Sequence, residues 1–349
     1  MTQNAPGAIR NPVAEPPGAG QAIALAGGVL WLRMPLPMVL DHVNVYALDD
    51  GDSWTIVDTG FDSRKMREIW RAALAGPLQG KPVRRVLVTH HHPDHIGLAG
   101  WFQSEFGAEL LTTRTAWLMA RMLCLDVQEL PSPETLQFWR SAGMDPALLE
   151  ERARARPFNF ADVVAPLPLG YKRIREGDGL RLGGRDWRVR IGHGHAPEHA
   201  TLWSEDGELV IGGDQLLATI SPNLGVYATE PEADPVADWL EACERLKGFA
   251  NARQLVLPGH KLPFSGLALR LDQLIDNHHG ALARLLQYLE TPHTAAECFV
   301  PLFRRKIGSG EYGLALVEAM AHVNHLHQLG KLQRTRRDDG AWLWRQKSR

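Results

Sequence analysis

The sequence predicts an α/β protein with a helical insertion and a small, mainly helical C-terminal region. Three observations support this fold class. Short apolar runs of strand length alternate with helix-like segments through the first part of the chain. A histidine-rich loop from Thr89 to His95 lies between a strand pattern and a helix pattern. Apolar residues at helical spacing, punctuated by proline, then dominate residues 112–170 and the chain beyond residue 265.

The elements before the histidine-rich loop follow in a regular order. Apolar and β-branched runs predict four strands, with one helix before the last of them. The predicted strands are residues 28–33, 43–48, 53–57 and 83–88, and the predicted helix is residues 63–74. Beyond the insertion, Trp187 to Ile191 alternates apolar and polar residues, as a half-buried strand does. The sheet is therefore predicted to resume after the insertion.

Residues 266–349 predict a separate C-terminal domain. Helical periodicity covers residues 267–289 and 311–329, and residues 331–337 and 341–345 predict a β-hairpin. The order helix, helix, hairpin is the outline of a winged helix. From residue 291 onward, ten Lys and Arg stand against five Asp and Glu. This excess leaves two interpretations open, a nucleic-acid surface or an element that packs or forms a homodimer contact.

Length and composition restrict the class of protein. The 349 residues carry a formal net charge of −2, and 44% of them are hydrophobic, which permits a large core and argues against a general nucleic-acid binder. Residues 1–20 are rich in Pro, Gly and Ala and predict a disordered or loosely ordered arm with no secretory signal. No apolar run has the length of a transmembrane span. We therefore expect a cytoplasmic protein with no membrane partner.

The histidine-rich loop has the spacing of a metal site. Alternate side chains of an extended segment face the same way, so His90 and His92 can share one ion. Pro93 stiffens the turn, and Asp94 and His95 then fall at the start of a helix, where they can serve a second ion. One motif thus predicts two metal positions.

Four further motifs strengthen this interpretation. They are Asp58-Thr59-Gly60 after a strand, the segment Gly194 to His199, Gly212-Gly213-Asp214, and Pro258-Gly259-His260. Together with the loop they resemble the metallo-β-lactamase-fold hydrolases, over residues 21–265, in the branch of the glyoxalase II and lactonase type. The resemblance implies an αββα sandwich as the catalytic domain, with residues 112–170 as a helical cap.

The resemblance also implies a ligand set for two divalent transition-metal ions. One ion would be held by His90, His92 and His195, the other by Asp94, His95 and His260, and Asp214 would bridge them. Three neutral imidazoles leave a fourth position open, as in catalytic zinc sites. Zinc is the expected metal, with iron and manganese as alternatives.

Around His195 the chain departs from the family pattern. Ala196 and Glu198 replace the usual Thr and Gly, so the conformation of this loop and the role of His199 are open. Asp58, Thr89 and His199 are predicted to support the ligands, because metal-bound histidines usually donate their second N–H to a neighbouring acceptor.

The predicted activity is hydrolysis of a small-molecule ester, thioester or lactone by a hydroxide generated at the two ions. Asp94 and Asp214 are the candidates for carrying the proton to the leaving group. The alternative is a metal-dependent endoribonuclease or phosphodiesterase that uses the basic C-terminal domain. Candidate substrate contacts, chosen by their placement near strand ends or on the insertion, are Asn44, Trp117, Met122, Trp139, Asn223 and Tyr227.

Overall fold

The computed structural model describes residues 8–347, which form two compact units. The first unit contains residues 8–127, 159–222 and 245–271, and the second contains residues 128–158, 223–244 and 272–347. Within residues 8–347, no helix is both long and apolar enough to cross a membrane. The first seven residues of the predicted arm lie outside the described residues. Farther along the arm, the backbone of Arg10 pairs with Ser265, with N to O distances of 3.2 and 2.9 Å.

The first unit contains a seven-stranded sheet whose strands are arranged in chain order. They are β1 Ile23–Ala24, β2 Val29–Pro35, β3 His42–Asp49, β4 Trp54–Val57, β5 Val83–Leu87, β6 Glu109–Thr112 and β7 Lys172–Arg173. The strands β1 to β4 are antiparallel to one another, and β4 to β7 are parallel. The parallel strands need crossover connections, which here are helices.

A second sheet of five strands completes the first unit. Its strands are β8 Gly179–Leu182, β9 Arg185–Gly192, β10 His199–Ser204, β11 Leu209–Gly213 and β12 Leu255–Pro258. Their order is β12-β11-β10-β9-β8, and only β11 and β12 pair in parallel among these neighbours. The first unit also contains α1 Arg64–Ala75, α2 Pro93–Ile96, α3 Ala99–Phe106 and α4 Arg114–Leu125.

The strand β3 shows how the layers of the first unit are built. Its odd-numbered residues Val43, Val45 and Ala47 join a core with the helices α1 and α3, whereas Tyr46 and Leu48 join a core between the two sheets. Both faces of β3 are therefore buried, and successive side chains alternate between the two cores. Burial on this scale supplies the main driving force for folding, at about 25 cal/mol per Å² of apolar surface. The two sheets thus pack face to face, with helices on the outer face of the first.

The second unit is mainly helical. It contains α5 Pro133–Ser141, α6 Pro146–Ala153, α9 Phe299–Phe303 and α10 Tyr312–Gln328, most of α7 Pro235–Lys247 and α8 Leu267–Tyr288, and the hairpin of β13 Leu332–Arg336 and β14 Trp342–Gln346. The predicted C-terminal helices and hairpin are all present within one or two residues of their predicted ends. The predicted insertion of residues 112–170, in contrast, is not one piece, because α4 belongs to the first unit whereas α5 and α6 belong to the second.

Buried histidines should make the second unit sensitive to acid. His278 and His322 stack with their ring centroids 5.6 Å apart. Burial lowers the pKa of His278 to about 3 and that of His322 to about 4, and the neighbouring imidazoles His279 and His325 act in the same direction on His278. An unfolded chain binds protons on histidine below a pH of about 6.5. The folded unit therefore stays neutral at these positions where the unfolded chain is charged.

We predict that the free energy of unfolding falls as the pH drops from about 6.5 toward 4, by up to about 1 kcal/mol per pH unit for each of the two histidines. Glu318 offsets part of this loss, because burial raises its pKa to about 7 and the folded form then holds a proton that the unfolded form releases. Urea unfolding across this pH range measures the slope. His278→Phe should flatten it, whereas substitution of the exposed neighbour, His279→Gln, should not. An acid slope that is unchanged in His278→Phe would contradict this account.

Candidate metal centre

Five of the seven predicted ligands follow strand ends in the first unit, and the other two lie in a short helix. His90 and His92 follow β5, His195 follows β9, Asp214 follows β11 and His260 follows β12. Asp94 and His95 lie in the short helix α2, whose first turn begins at Pro93. The carboxyl ends of strands are the usual place for ligand-binding side chains in open α/β sheets. The packing of two sheets therefore brings residues more than a hundred positions apart in sequence to one place.

Three imidazoles form the first group. The Nε2 of His90 lies 2.9 Å from the Nδ1 of His92, which lies 3.0 Å from the Nε2 of His195. These three nitrogens are close enough to contact one ion. Burial and the neighbouring imidazoles hold the pKa of His90 and of His92 well below the usual range. Both rings are therefore neutral at pH 7 and offer lone pairs, as metal-ligating histidines must.

The second group combines one carboxylate with two imidazoles. The Oδ2 of Asp94 lies 3.6 Å from the Nε2 of His95 and 3.4 Å from the Nε2 of His260, and these atoms could share an ion. Asp214 lies between the two groups. Its Oδ2 is 3.5 Å from the Nε2 of His195 and 3.2 Å from the Nε2 of His260, so one carboxylate reaches a member of each group.

Two buried polar atoms show that a cation fits here. Neither the Nε2 of His95 nor the Oδ1 of Asp214 forms a hydrogen bond with any of residues 8–347, although they lie only 3.4 Å apart. Buried polar atoms without a partner are rare and costly. Ligands at about 2.0–2.2 Å around a shared ion would be separated by a little over 3 Å. The donor set, of imidazole nitrogens and carboxylate oxygens, suits a divalent transition metal.

The electrostatics agree with this fit. Burial alone would lower the pKa of His95, but Asp214, Asp94 and Asp58 raise it well above the usual range. The pKa of His260 rises to about 10, because Asp214 and Asp94 outweigh its burial. The carboxylates thus create a negative potential that draws protons onto both rings. A divalent cation would satisfy the same potential.

Asp58 and Thr89 form hydrogen bonds with two of the predicted ligands, His95 and His90. Asp58 accepts hydrogen bonds from the Thr89 N–H, the Thr89 hydroxyl and the Nδ1 of His95, each at 2.8 Å. The Thr89 oxygen lies 3.0 Å from the Nδ1 of His90 and can accept its proton in a hydrogen bond. The Nε2 atoms of His90 and His95 are then left with their lone pairs directed at the centre.

His199 holds the backbone at Asp214. Its Nε2 accepts a hydrogen bond from the backbone N–H of Asp214, at 3.1 Å, and its ring stacks on His90 with centroids 4.5 Å apart. Burial and the adjacent His195 lower the pKa of His199 to about 3. The ring is therefore a neutral acceptor that fixes where the chain turns into Asp214.

Glu198, one of the two residues that depart from the family pattern, has a defined place in the loop. It adopts a left-handed backbone conformation, with φ of 51°, which costs a non-glycine residue about 1 kcal/mol or more. Its carboxylate accepts a hydrogen bond from the backbone N–H of Thr115, at 2.8 Å, in the first turn of α4. A negative charge is favourable at a helix N-terminus. The loop that carries His195 is thus tied to α4.

Two predicted substrate contacts are corrected. The side chain of Asn44 is occupied inside the first unit, because its Oδ1 accepts from Trp31 at 2.9 Å and its Nδ2 donates to the carbonyls of Pro258 and Lys261 at 2.9 and 2.8 Å. Asn223 belongs to the second unit, where its amide donates to Glu318 at 2.7 Å. The amide of Asn44 links β3 to the turn after β12, and the amide of Asn223 links two segments of the second unit.

The other candidate contacts have varied surroundings. In α4, Trp117 stacks on Tyr171 with centroids 4.9 Å apart, and Met122 is half exposed. In the second unit, Trp139 lies 5.8 Å from the guanidinium of Arg152, and the side chain of Tyr227 is exposed. Their roles as substrate contacts stay predictions.

The sequence analysis missed His42 and Tyr46, which contact the turn that carries His260. The Nδ1 of His260 donates to the carbonyl of His42 at 2.6 Å, and the Tyr46 hydroxyl donates to the carbonyl of Pro258 at 2.7 Å. A signal was available, since polar residues occupy positions 42, 44 and 46 of an otherwise apolar strand.

Comparisons with known proteins divide the chain into two parts, a main domain and a C-terminal domain. The profile of the metallo-beta-lactamase superfamily matches residues 38–260, and that of the metallo-beta-lactamase-like C-terminal domain matches residues 282–347. A Bacillus subtilis (strain 168) protein, the probable metallo-hydrolase YqjP, is 27% identical over 312 residues, which cover 85% of this chain and 92% of that protein.

Two solved structures are similar over nearly their full length. A beta-lactamase domain protein from Burkholderia ambifaria is 37% identical, with a TM-score of 0.88, and the match covers 97% of this chain and 98% of that one. A metallo-beta-lactamase family protein from Thermus thermophilus is 27% identical, with a TM-score of 0.76, and the match covers 92% and 99% of the two chains. Because the superfamily profile spans more than half of the chain and includes all seven converging side chains, this protein belongs to the metallo-β-lactamase superfamily.

Proposed function

We propose that the protein is a hydrolase that uses two divalent metal ions to cleave an ester, thioester or lactone of a small molecule. The observation that carries this proposal is the convergence of seven buried or half-buried His and Asp side chains into two ligand groups that meet at Asp214. The relative from Bacillus subtilis, a probable metallo-hydrolase, supports the reaction class.

One proposed ligand group contains only imidazoles, whereas the other also contains a carboxylate. His90, His92 and His195 would hold one ion with neutral imidazoles, and Asp94, His95 and His260 would hold the other, with Asp214 shared. When bound, the two ions, most readily zinc, supply Lewis acidity and the activation of a water molecule near neutral pH. Asp58 and Thr89 keep the ligand rings in the required tautomers.

Asp94 is the better candidate for moving a proton to the leaving group. Burial would raise its pKa, but His95 and His260 lower it below the ordinary value, so the carboxylate is an acceptor at neutral pH. Its side chain is 14% exposed, against 8% for Asp214. Asp214, engaged by both groups, is more constrained. We therefore assign the proton transfer to the Asp94 carboxylate.

The basic C-terminal region does not favour the phosphodiesterase alternative. Several of its cations are neutralised by neighbours inside the second unit. Arg305 lies 2.6 Å from Glu311, Arg337 lies 2.7 Å from Asp339, and Arg334 lies 3.0 Å from Glu232. Nucleic-acid binding needs cations free to contact phosphates. Paired charges are more consistent with a winged-helix-like domain that has a packing role than with a nucleic-acid surface. They therefore favour a small-molecule substrate.

The ligand set predicts the metal content. Purified protein loaded with Zn²⁺ should hold two ions per chain after gel filtration, as measured by elemental analysis. His260→Ala should hold about one, because it removes a ligand from only one group, and Asp214→Asn should weaken both. Hydrolysis should fall by about 10²-fold or more in Asp94→Asn, since general acid–base groups contribute this much. Its metal content should fall no further than that of His260→Ala, because both residues belong to the same group.

His279→Gln is the matched control, because it removes an exposed histidine from the second unit. It should retain two ions and full activity. A folded and active preparation that contains no transition metal would refute the two-metal hydrolase.

The helix α4 predicts the substrate preference. Met122, at 47% exposure, presents apolar surface on α4, the helix whose first turn is tied to the His195 loop. If it contacts the acyl part of the substrate, kcat/KM should rise by up to about fourfold per added methylene, which corresponds to about 0.8 kcal/mol. Met122→Ala and Trp117→Ala should flatten this gradient across acetyl, butyryl and hexanoyl thioesters without changing the metal content.

Leu169→Ala provides the control, since this residue of the first unit is more exposed than Met122 and lies outside α4. A flat profile in the wild type, or Met122→Ala enzyme with the wild-type gradient, would show that α4 does not select the acyl group. Phosphodiester substrates in the same panel test the alternative reaction.

A further inference from the structure

We propose that His42 and Asn44 are positioning residues that hold the turn of residues 258–261 and thereby aim His260 at the metal centre. The proposal rests on the two-metal function proposed above. It concerns residues that the family motifs quoted above do not include, and it follows from the way β3 meets the end of β12.

The face of β3 that points toward the second sheet is mainly apolar near the end of the strand and polar near its start. Tyr46 and Leu48 lie in the core between the sheets. Side chains at every second position share a face, so His42 and Asn44 continue this face toward the end of the strand where the ligands gather. Both are buried. Buried polar side chains at the end of an apolar face need partners, and the turn of residues 258–261 supplies them.

Asn44 satisfies the carbonyls of the turn. Its Nδ2 donates to Pro258 and to Lys261, and its backbone N–H donates to the carbonyl of Gly259 at 2.6 Å. Arg33 donates to the same Lys261 carbonyl at 3.0 Å. Asn44 of β3 thus binds the carbonyls of three of the four residues in the turn.

His42 holds the residues at the centre of the turn. Its backbone carbonyl accepts from the Nδ1 of His260 at 2.6 Å, and its ring Nε2 accepts from the backbone N–H of Lys261 at 2.8 Å. The ring Nδ1 lies 2.6 Å from the carboxylate of Asp41. A proton on Nδ1 donated to Asp41 leaves Nε2 as the acceptor, so Asp41 selects the tautomer that the turn requires.

The turn needs this support because Lys261 has a left-handed backbone, with φ of 68°. That conformation is unfavourable for a residue with a side chain and persists only where the surroundings enforce it. The bond from its N–H to His42 is part of that enforcement. If Lys261 relaxed, the preceding residue would rotate, and the Nε2 of His260 would leave its position near Asp94 and Asp214.

The role of His42 can be separated from a general contribution to stability. A glycine adopts the left-handed conformation without penalty. Lys261→Gly should therefore make the turn independent of the His42 ring. A merely structural His42 would show no such dependence, because the loss of a packed ring would not be repaired by a change in backbone preference in the neighbouring turn.

The experiment measures the affinity for Zn²⁺ in the full-length protein by competition with a chromophoric chelator, together with the ion count by elemental analysis. Four variants are compared with the wild type: His42→Leu, His42→Gln, Lys261→Gly and the double variant His42→Leu/Lys261→Gly. His42→Gln retains an acceptor that can reach the Lys261 N–H. Urea unfolding of each metal-free variant establishes that it folds.

We expect His42→Leu to weaken binding of one ion, the one that His260 would hold, by about 10- to 100-fold, the range for groups that orient metal ligands, and to leave binding of the other unchanged. His42→Gln and Lys261→Gly should stay within a few fold of the wild type, and the double variant should recover most of the loss. If His42→Leu does not fold, His42→Phe, which keeps a ring but lacks the acceptor, and its combination with Lys261→Gly give the same comparison.

Equal binding of two ions by the wild type and by His42→Leu would overturn the positioning role alone. A loss in His42→Leu that Lys261→Gly does not repair would overturn it as well. A wild-type protein that binds fewer than two ions would instead refute the two-metal centre, and the positioning role with it.

Discussion

The burial of three carboxylates around one imidazole is the constraint on which the rest of this structure depends. Asp58, Asp94 and Asp214 lie 2.8, 3.6 and 3.4 Å from the ring of His95. A buried carboxylate without a compensating charge costs several kcal/mol. The protein can tolerate three of them only if positive charge is present, as protons on His95 and His260 or as bound cations. The centre of the site thus requires positive charge.

The scaffold meets this requirement by separating function from stability. The large apolar side chains lie in the two cores of the first unit, between the sheets and under the helices. The seven converging His and Asp side chains follow the ends of strands or lie in the short helix α2, where the backbone leaves regular strand pairing. The strand β3 contains both kinds of residue on one face, since Tyr46 and Leu48 pack in the core while His42 and Asn44 hold the turn of His260. Because the core holds β3 in place, the turn that carries the predicted ligand His260 is held in place as well.

The sequence allowed much of this to be predicted, for a physical reason. His90, His92, Asp94 and His95 lie in one short loop, so their proximity follows from local geometry, and the family resemblance added His195, Asp214 and His260. The support of His260 could not be predicted in the same way, because its partners on β3 are more than 200 positions away. Asn44 and Asn223 were misassigned because a polar residue at a strand end or in a loop has the same pattern whether it contacts a substrate or the backbone. The division of the insertion between two units likewise depends on tertiary contacts that periodicity does not report.

Glu198 has a consequence for reading related sequences. Where a relative has glycine at this position, the left-handed turn forms without strain, but no carboxylate reaches the start of α4. Where it has an acidic residue, the turn is strained and the hydrogen bond to the Thr115 N–H offsets the cost. This residue therefore separates two kinds of relative. In one kind the loop that carries His195 is hydrogen-bonded to α4, which lies earlier in the chain, and in the other kind the loop and the helix can vary independently. In the first group, α4 should keep its length and starting point, since an insertion before Thr115 would leave a strained residue with nothing to hold it.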